Sequence, residues 1–493
     1  MNIPTGMKKY IASLLACVIA VCAFAPFSAS ADGTYAGEHF DVPQIRVTTK
    51  DGVGNTLVKE DGYVDASIVI TDMDGSTIES PIIFKVRGNS TSMTLKKPFT
   101  FKFPKKTDVF GFGKAKRWVL LANAYDVTFI RNYFSFDWAQ RMGIPYTSEQ
   151  KIVELWVDDM FKGCYTLMEP ITDGKGRVEI DTTGEKDFIV EWELKREEED
   201  VTYFTANSYR FGIKEPDPPT EAQVNYIKST MENVITTLES GDREAIEKAI
   251  DVDSFVRYYL LNEFVKVSDF YFSSVFFFYK DGKLYAGPPW DYDLSMGNVA
   301  AVSTDPYNPE GVFAANKNIV KYLCKLDWFN EKARDLYKEN YSFLENTYSD
   351  GGYFDSFYEK YEPVISRNFN EAGWVIWHKL ITVHERPFPT YEENLDYLKN
   401  WCKTRNDWLY DYFKLGDDML YIKGDADGNG VIDISDATLI QKLIGKIEND
   451  DDGQITTRAD SSDDGLDIND VTLLQRYIAG MEKNYRFGEK IFK

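Results

Sequence analysis

The sequence predicts an α+β protein: a large mixed body followed by a small all-α module built from a repeat. Three observations predict it. Apolar residues alternate with period two through much of the first half, as in Gln44–Thr49, Ala66–Thr71 and Ile82–Arg87, the pattern of half-buried strands. From Thr220 onward the spacing turns helical, over Glu221–Glu239, Asp242–Ile250 and Val252–Val265. Near the C-terminus an acidic loop and a helix occur twice, Asp433–Ile444 aligning on Asp467–Ile478 at an offset of 34 residues.

The 493 residues exceed what one hydrophobic core organises, and three parts are expected: 1–31, 38–416 and 421–487. The first reads as a secretory signal peptide. Lys8 and Lys9 form a basic start, Tyr10–Phe27 is apolar, and Ala29-Ser30-Ala31 is a small-residue cleavage site. Met7 is an alternative start. Leu14-Leu15-Ala16-Cys17 matches a lipoprotein box, but the apolar run continues past Cys17, which favours cleavage and release. The expected location is extracellular, in solution or at the cell surface. No later apolar stretch is long enough to span a bilayer. Cleavage removes Cys17 and Cys22 and leaves Cys164, Cys324 and Cys402. That odd number without a CxxC pair indicates neither a disulfide framework nor a zinc site.

The net charge of −23 argues against nucleic acid, whose phosphates demand Lys and Arg, and against anionic membrane surfaces. Most of these acids read as solvated surface; those spaced as ligands read as a calcium site.

Within the body, Phe99–Phe103 is a further strand, Val119–Ala122 a short buried run and Phe129–Arg141 an amphipathic helix. Lys151–Val157 and Gly163–Met168 pair around Asp158-Asp159, and Phe188–Glu193 is another strand. Val275–Lys280 and Leu284–Ala286 flank Asp281-Gly282, a hairpin turn. The remainder, roughly 317–415, is mostly helical, and its many Tyr, Phe and Trp residues are read as core.

The C-terminal loop Asp425–Asp436 carries the clearest chemistry. Calcium takes several oxygen ligands, and a loop wrapping it offers them at alternate positions. Asp425, Asp427 and Asn429 fill positions one, three and five, Gly430 allows the sharp bend, Val431 offers its carbonyl and Asp436 closes the loop. In the second copy Asp460, Asp464 and Asp470 supply oxygens, but the loop is one residue short after Gly465, and Ser462 stands where an acid or Asn is usual. A weaker or distorted second site is expected. This doubled loop–helix resembles the dockerin family, and most of all the type I-like dockerins of ruminococcal cellulosomes. The resemblance covers the whole module. It implies Ca²⁺-dependent binding to a cohesin module of a scaffoldin, with Ile434, Ser435, Ile468 and Asn469 at the positions that set partner choice.

Four segments of the body resemble the CotH family of kinase-like proteins, in the family's order. They are Val86-Arg-Gly-Asn-Ser-Thr91 with Lys96-Lys-Pro-Phe-Thr-Phe-Lys102; Trp118–Asp126 with Ile130-Arg-Asn132; Val153–Val157 with Gly163–Glu169; and Tyr258–Glu263 through Pro289–Gly297. The resemblance implies a protein-kinase-like fold and phosphate transfer from ATP with Mg²⁺ or Mn²⁺. Such chemistry consists mainly of positioning and charge neutralisation. Lys102 and Arg87 are the candidates to hold phosphates, with Arg131 and Asn132 as further nucleotide-site residues. Asp269 is the candidate to orient the accepting hydroxyl, and Asp291 and Asp293, which share a face if their stretch is extended, to hold Mg²⁺. Ser274 stands where a kinase loop carries its metal-binding Asn. Each has a plainer reading. Asp269 caps a helix end, Lys102 is an ordinary strand lysine, Arg87 and Asn89 pin a turn, and Glu169 is a strand end or hinge. His39, His378 and His384 are too scattered for a metal site or triad.

Three functions stay open on the sequence: a scaffold-borne phosphotransferase acting on a protein acceptor, a non-catalytic module binding cell-wall polysaccharide or protein, and a glycoside hydrolase. No particular carboxylate pair favours the last.

Overall fold

Seven strands close into a barrel in the computed structural model, which describes residues 41–194, 201–299, 304–374, 388–481 and 486–493. The expected signal peptide at 1–31 with Cys17 and Cys22, the expected start of the body at 38, and His39, His378 and His384 lie outside the described residues. The barrel strands are β1 Gln44–Thr49, β2 Val64–Thr71, β3 Thr77–Val86, β4 Phe99–Asp108, β5 Lys114–Leu121, β6 Gln150–Val157 and β7 Met160–Met168. Their order is β1-β2-β3-β4-β5-β7-β6. All neighbours are antiparallel except β1 and β6, whose parallel pairing closes the ring. The period-two pattern dictates which side chains fill it. Phe99, Phe101 and Phe103 are buried inside with Phe84 and Trp118, whereas Lys102 on the alternate face points outward.

A second sheet follows, made of β8 Phe188–Trp192, β9 Thr202–Ala206, β10 Tyr209–Glu215, β11 Val275–Lys280 and β12 Lys283–Ala286. Its order is β12-β11-β8-β10-β9, antiparallel throughout. Alternation again sorts the faces. Phe188, Val190 and Trp192 join the helical core, while Ile189, Phe276 and Phe278 form a smaller cluster with Trp290. The hairpin β9–β10 was not anticipated. Its local signal is the turn Asn207-Ser208, where both residues take positive φ, as a tight hairpin requires.

Besides two short helices, Thr304–Tyr307 and Val320–Leu323, the body holds α1 Ile130–Arg141, α2 Glu221–Ser240, α3 Arg243–Ala249, α4 Val252–Val265, α5 Asp327–Tyr348, α6 Tyr353–Asn370 and α7 Tyr391–Tyr412. α2 begins where Thr220 and Gln223 form a capping box and ends at Gly241 with φ 71°. α4 is buried on nearly every side and is the hub of the helical core. At its end Glu263 and Arg405 of α7 form a fully buried ion pair at 2.6 Å. The Glu263 carboxylate also accepts the N–H groups of Phe313 and Ala314, both at 2.7 Å. Arg405→Met leaves that carboxylate buried without its cation and is expected to cost about 3–5 kcal/mol, read as a lowered denaturant midpoint. Among the described residues no helix is long and apolar enough to cross a membrane.

The C-terminal segment holds β13 Met419–Ile422, α8 Ile434–Ile444, α9 Gln454–Ala459, α10 Ile468–Ile478 and β14 Lys490–Phe492. α8 starts at Ile434, three residues before the expected Ala437, because the Asp433 carboxylate accepts the Ser435 N–H. Asp467 caps α10 in the same way through Asn469. Ala437, Ile440, Val471 and Leu474 form a small core. β13 and β14, also unanticipated, pair antiparallel. The last strand reaches α5: Lys490 Nζ lies 2.6 Å from Tyr341 Oη, and the Phe492 ring packs against the Tyr341 ring.

Candidate functional site

Two loops at one end of α4 and the second sheet bring carboxylates together. The first follows α4. Lys266 takes a left-handed conformation, φ 47°, and a 3-10 turn, Ser268–Tyr271, carries Asp269. The backbone N–H groups of Phe272 and Ser273 both donate to the Asp269 carbonyl at 2.8 Å, so the turn is locally fixed. The second loop leaves β12 and carries Trp290, Asp291 and Asp293. The stretch is not extended as the shared-face reading required. Asp291 has φ 67°, and the following N–H, of Tyr292, is captured by Asn132 Oδ1 at 2.7 Å. A left-handed turn therefore brings Asp291 and Asp293 together.

Asp293 is buried. Burial pushes its carboxyl far above the ordinary range, and the negative charges of Asp291, Asp269 and Asp126 add to the shift. The Tyr125 phenol faces the same group: burial raises it, a hydrogen bond from Ser90 opposes, and Asp293, Asp291 and Asp269 raise it further. Three carboxylates, Asp126, Asp269 and Asp291, thus lie near a fourth, Asp293, whose burial disfavours its charged form. This donor set fits a divalent cation. Among the described residues, these acids do not form a set of three with ligand oxygens within 4.8 Å of one another. Mg²⁺ characteristically takes one or two carboxylates and completes its shell with phosphate and water.

Arg131 and Asn132, at the start of α1, are committed to protein partners. Arg131 is buried and pairs with Asp126 at 2.7 Å, and its Nε donates to the Ser295 carbonyl at 3.0 Å. Asn298 Nδ2 donates to the carbonyls of Tyr125 and Asp293, at 2.6 and 2.7 Å. Together these side chains tie the loop of Asp126 to the loop of Asp291 and Asp293. Gly297 is required there: with φ +75°, an added Cβ would lie 2.5 Å from the Trp401 ring.

Cations approach from the barrel. Arg87, at the end of β3, sits with its guanidinium 5.5 Å from the centre of the Trp290 ring, beside Asp291 in the chain. The next residue, Gly88, has φ +89°, and a Cβ there would meet Thr91 Oγ1 at 2.1 Å, which explains the glycine of the Arg-Gly-Asn-Ser segment. Lys102 lies over the Tyr63 ring at 4.7 Å. Burial, Arg117 and Lys85 lower its pKa, and the carboxylate that opposes them is Asp217, not a member of the acidic group. The structure therefore places Arg87 at the acidic loop and Lys102 in a neighbouring basic group with Arg117. Asn89 accepts from Lys59. Lys96 is buried between the Phe129 and Tyr165 rings and donates to the Cys164 carbonyl; burial pushes it down to about 7. Glu169 pairs with Arg177 at 2.6 Å, and burial pushes its carboxyl up to about 7 against that pairing.

In the C-terminal segment Asp425, Asp427 and Asp436 each offer an oxygen within 4.8 Å of the others, the only such set of three among the described residues. Loop geometry holds them. Asp425 accepts the N–H of Asn429 and of Gly430, at 3.0 and 2.9 Å. Asp436 accepts those of Asp427 and Asp433, at 3.1 and 2.9 Å. Burial raises the Asp436 carboxyl; those backbone bonds lower it, and Asp427 and Asp425 raise it again. Asn429 Oδ1 accepts the Val431 N–H at 2.8 Å. In the second loop Asp460 accepts from Gly465, and Asp470 from Ser461 and Asp467. Asp464 is bonded by the Ser462 hydroxyl. Its three acids do not converge as the first three do.

A family model described as CotH kinase protein matches residues 84–409, about two-thirds of the chain. No curated protein matches the chain.

Proposed function

Because the chain belongs to the CotH kinase protein family, we propose that its body transfers the γ-phosphoryl group of ATP to a hydroxyl acceptor, most readily on a protein. The observation that carries this reading is the gathering of Asp269, Asp291 and Asp126 around the buried Asp293, with Arg87 beside the same loop. The order helix, Asp269 turn, β-hairpin and acidic loop supports it too, since it follows the order of parts that orient hydroxyl and metal in kinases. Asp269 orients the acceptor hydroxyl and takes its proton as oxygen attacks phosphorus and the bond to the ADP oxygen breaks. Asp291 and Asp293 would hold Mg²⁺ or Mn²⁺, which neutralises phosphate charge when bound. Arg87 faces the phosphates, Lys102 and Arg117 add positive potential from the barrel, and Arg131, Asn132 and Asn298 hold the loops in register. The direct test incubates the full chain with labelled ATP and Mg²⁺ or Mn²⁺. Nucleotide binding with transfer of label is expected; absence of both removes the reading. Release of reducing sugar from cellulose, xylan or pectin would favour a hydrolase instead.

We further propose that 421–487 is a dockerin that binds Ca²⁺ and docks to a cohesin of a scaffoldin, after export directed by residues 1–31. The convergence of Asp425, Asp427 and Asp436 supports the calcium site. The exposure of Ile434 and Ile468, each more than half accessible, supports a docking face, because large apolar side chains at matching positions of a repeat gain by being covered. The proposed body, 38–416, is thereby carried on an extracellular assembly. Calcium-dependent retention of the full chain on an immobilised cohesin tests the docking.

A further inference from the structure

The loop between β3 and β4 reverses the pattern of the strands it joins. Met93 and Leu95 are 68% and 62% accessible, the two most exposed large apolar side chains among the described residues of the body. The residues that alternate with them, Ser92, Thr94 and Lys96, are polar and buried. Polar groups inside and apolar groups outside are the opposite of the ordinary arrangement, and such a departure points to a surface that is used. The buried groups fix the loop. Ser92 Oγ donates to the Asn89 carbonyl at 2.6 Å, Thr94 Oγ1 lies 2.7 and 2.8 Å from the carbonyls of Thr91 and Lys96, and Lys96 reaches the Cys164 carbonyl. Met93 and Leu95 are therefore held outward by bonds on the inner side.

The loop starts at the acidic group. Arg87 leads into it from over the Trp290 ring. Ser90 hydrogen-bonds the Tyr125 phenol, which faces Asp293, Asp291 and Asp269. The flanks of the loop are basic. Lys59 Nζ donates to Asn89 Oδ1 and Lys97 Nζ to the Ser92 carbonyl, both at 2.9 Å, so each ammonium rests on a neutral oxygen. Residues 85–117 hold ten Lys and Arg against one acid, Asp108, in a chain whose net charge is −23.

We propose that Met93 and Leu95, with Lys59 and Lys97 beside them, form the docking face for the phosphoacceptor, a polypeptide segment that carries a large apolar residue and a carboxylate next to its reacting hydroxyl. The inference rests on the ATP reading above and deepens it by naming the acceptor class. Covering Met93 and Leu95 removes apolar area from water, and the two ammoniums complement an acidic segment. A loop fixed beforehand loses little conformational freedom when the partner binds. Met93 follows Ser90 by three residues, so a segment lying on it lies beside the carboxylates that would act on its hydroxyl.

The test uses the full chain and three fluorescein-labelled peptides. The first has one serine flanked by leucine and aspartate, the second has alanine for leucine, and the third has lysine for aspartate. Peptide binding is read by anisotropy, phosphate transfer by label from ATP with Mg²⁺, and binding of ADP with Mg²⁺ by titration calorimetry. The first peptide is expected to bind about tenfold or more tighter than either other, as burial of one large apolar side chain or loss of one complementary charge allows. The double variant M93S/L95S should raise the Kd and KM of the first peptide to those of the second and leave ADP binding unchanged. Lys59→Gln should narrow the gap between the first and third peptides, and it carries the test if the double variant fails to fold. Variants that bind and discriminate the peptides as the wild type does, with ADP bound normally, overturn the docking face and leave the ATP reading standing. Equal weakening of ADP and peptide makes the loop merely structural and overturns the inference. A wild-type chain that binds no peptide also overturns it, and its binding of ADP then decides the ATP reading separately. Self-association of the wild type that M93S/L95S abolishes, or retention on phosphatidylglycerol vesicles that it abolishes, assigns the face to a second copy or to lipid and overturns the acceptor role.

Discussion

Asp293→Asn is expected to lower phosphate transfer from ATP by about 10³-fold, the loss seen when a preorganised charge at a reacting centre is removed. The same substitution should stabilise the metal-free protein at neutral pH. The Asp293 carboxyl is raised by burial and by Asp291, Asp269 and Asp126. A carboxyl raised on folding binds its proton more tightly in the folded than in the unfolded chain. Its contribution is therefore favourable at low pH and is lost as pH climbs from the ordinary carboxylate range through the raised folded value. Thermal midpoints of the wild-type chain, recorded in chelator, should fall across that window, and Asp293→Asn should flatten the fall. Added Mg²⁺ should raise the wild-type midpoint at pH 7 and leave that of the variant where it was. A variant that keeps its transfer rate, or a wild-type midpoint indifferent to pH and Mg²⁺, contradicts the assignment. Asp269→Asn separates the roles within the site: transfer should fall by about 10²–10⁴-fold, while binding of ADP with Mg²⁺ is retained.

The second large effect concerns the C-terminal loops. Chelation of calcium is expected to melt 421–487 well before the body. Calcium at a thousand times its dissociation constant adds about 4 kcal/mol of apparent stability by mass action, and the core there is small, built around Ala437, Ile440, Val471 and Leu474. Asp436→Ala should abolish the calcium response of this transition in calorimetric scans of the full chain, since Asp436 supplies a loop oxygen and receives two backbone N–H groups. Asp470→Ala should do less, because the second loop's acids do not converge. A C-terminal transition that ignores both calcium and Asp436→Ala would show the loop to be an acidic turn and nothing more.

The two sites were legible in the sequence to different degrees. A calcium loop draws its ligands from a dozen consecutive residues, so their spacing is the site. Asp425, Asp427 and Asp436 offer oxygens within 4.8 Å of one another, and Asp460, Asp464 and Asp470 form no such set. The acidic group of the body draws on three separate segments. Asp269, Asp291 and Asp293 stood out as motif residues, but Asp126 joins them only because Arg131 and Asn298 tie two loops across the core. The CotH resemblance implies nucleotide contacts for Arg131 and Asn132, and the structure shows that both are buried and bonded to protein partners.

The sequence by itself determined most of the body's strands and helices, which faces of the barrel strands are apolar, and the repeated helices with their acidic loops. Each of these depends on periodicity or on hydrogen bonds a few residues long. Only the tertiary structure decided that the strands close into a barrel, that β14 returns to pair with β13, and that Asp126 joins Asp269, Asp291 and Asp293. Such features join residues far apart in the chain. Their energy depends on burial and on charges meeting across loops, and no local spacing encodes that.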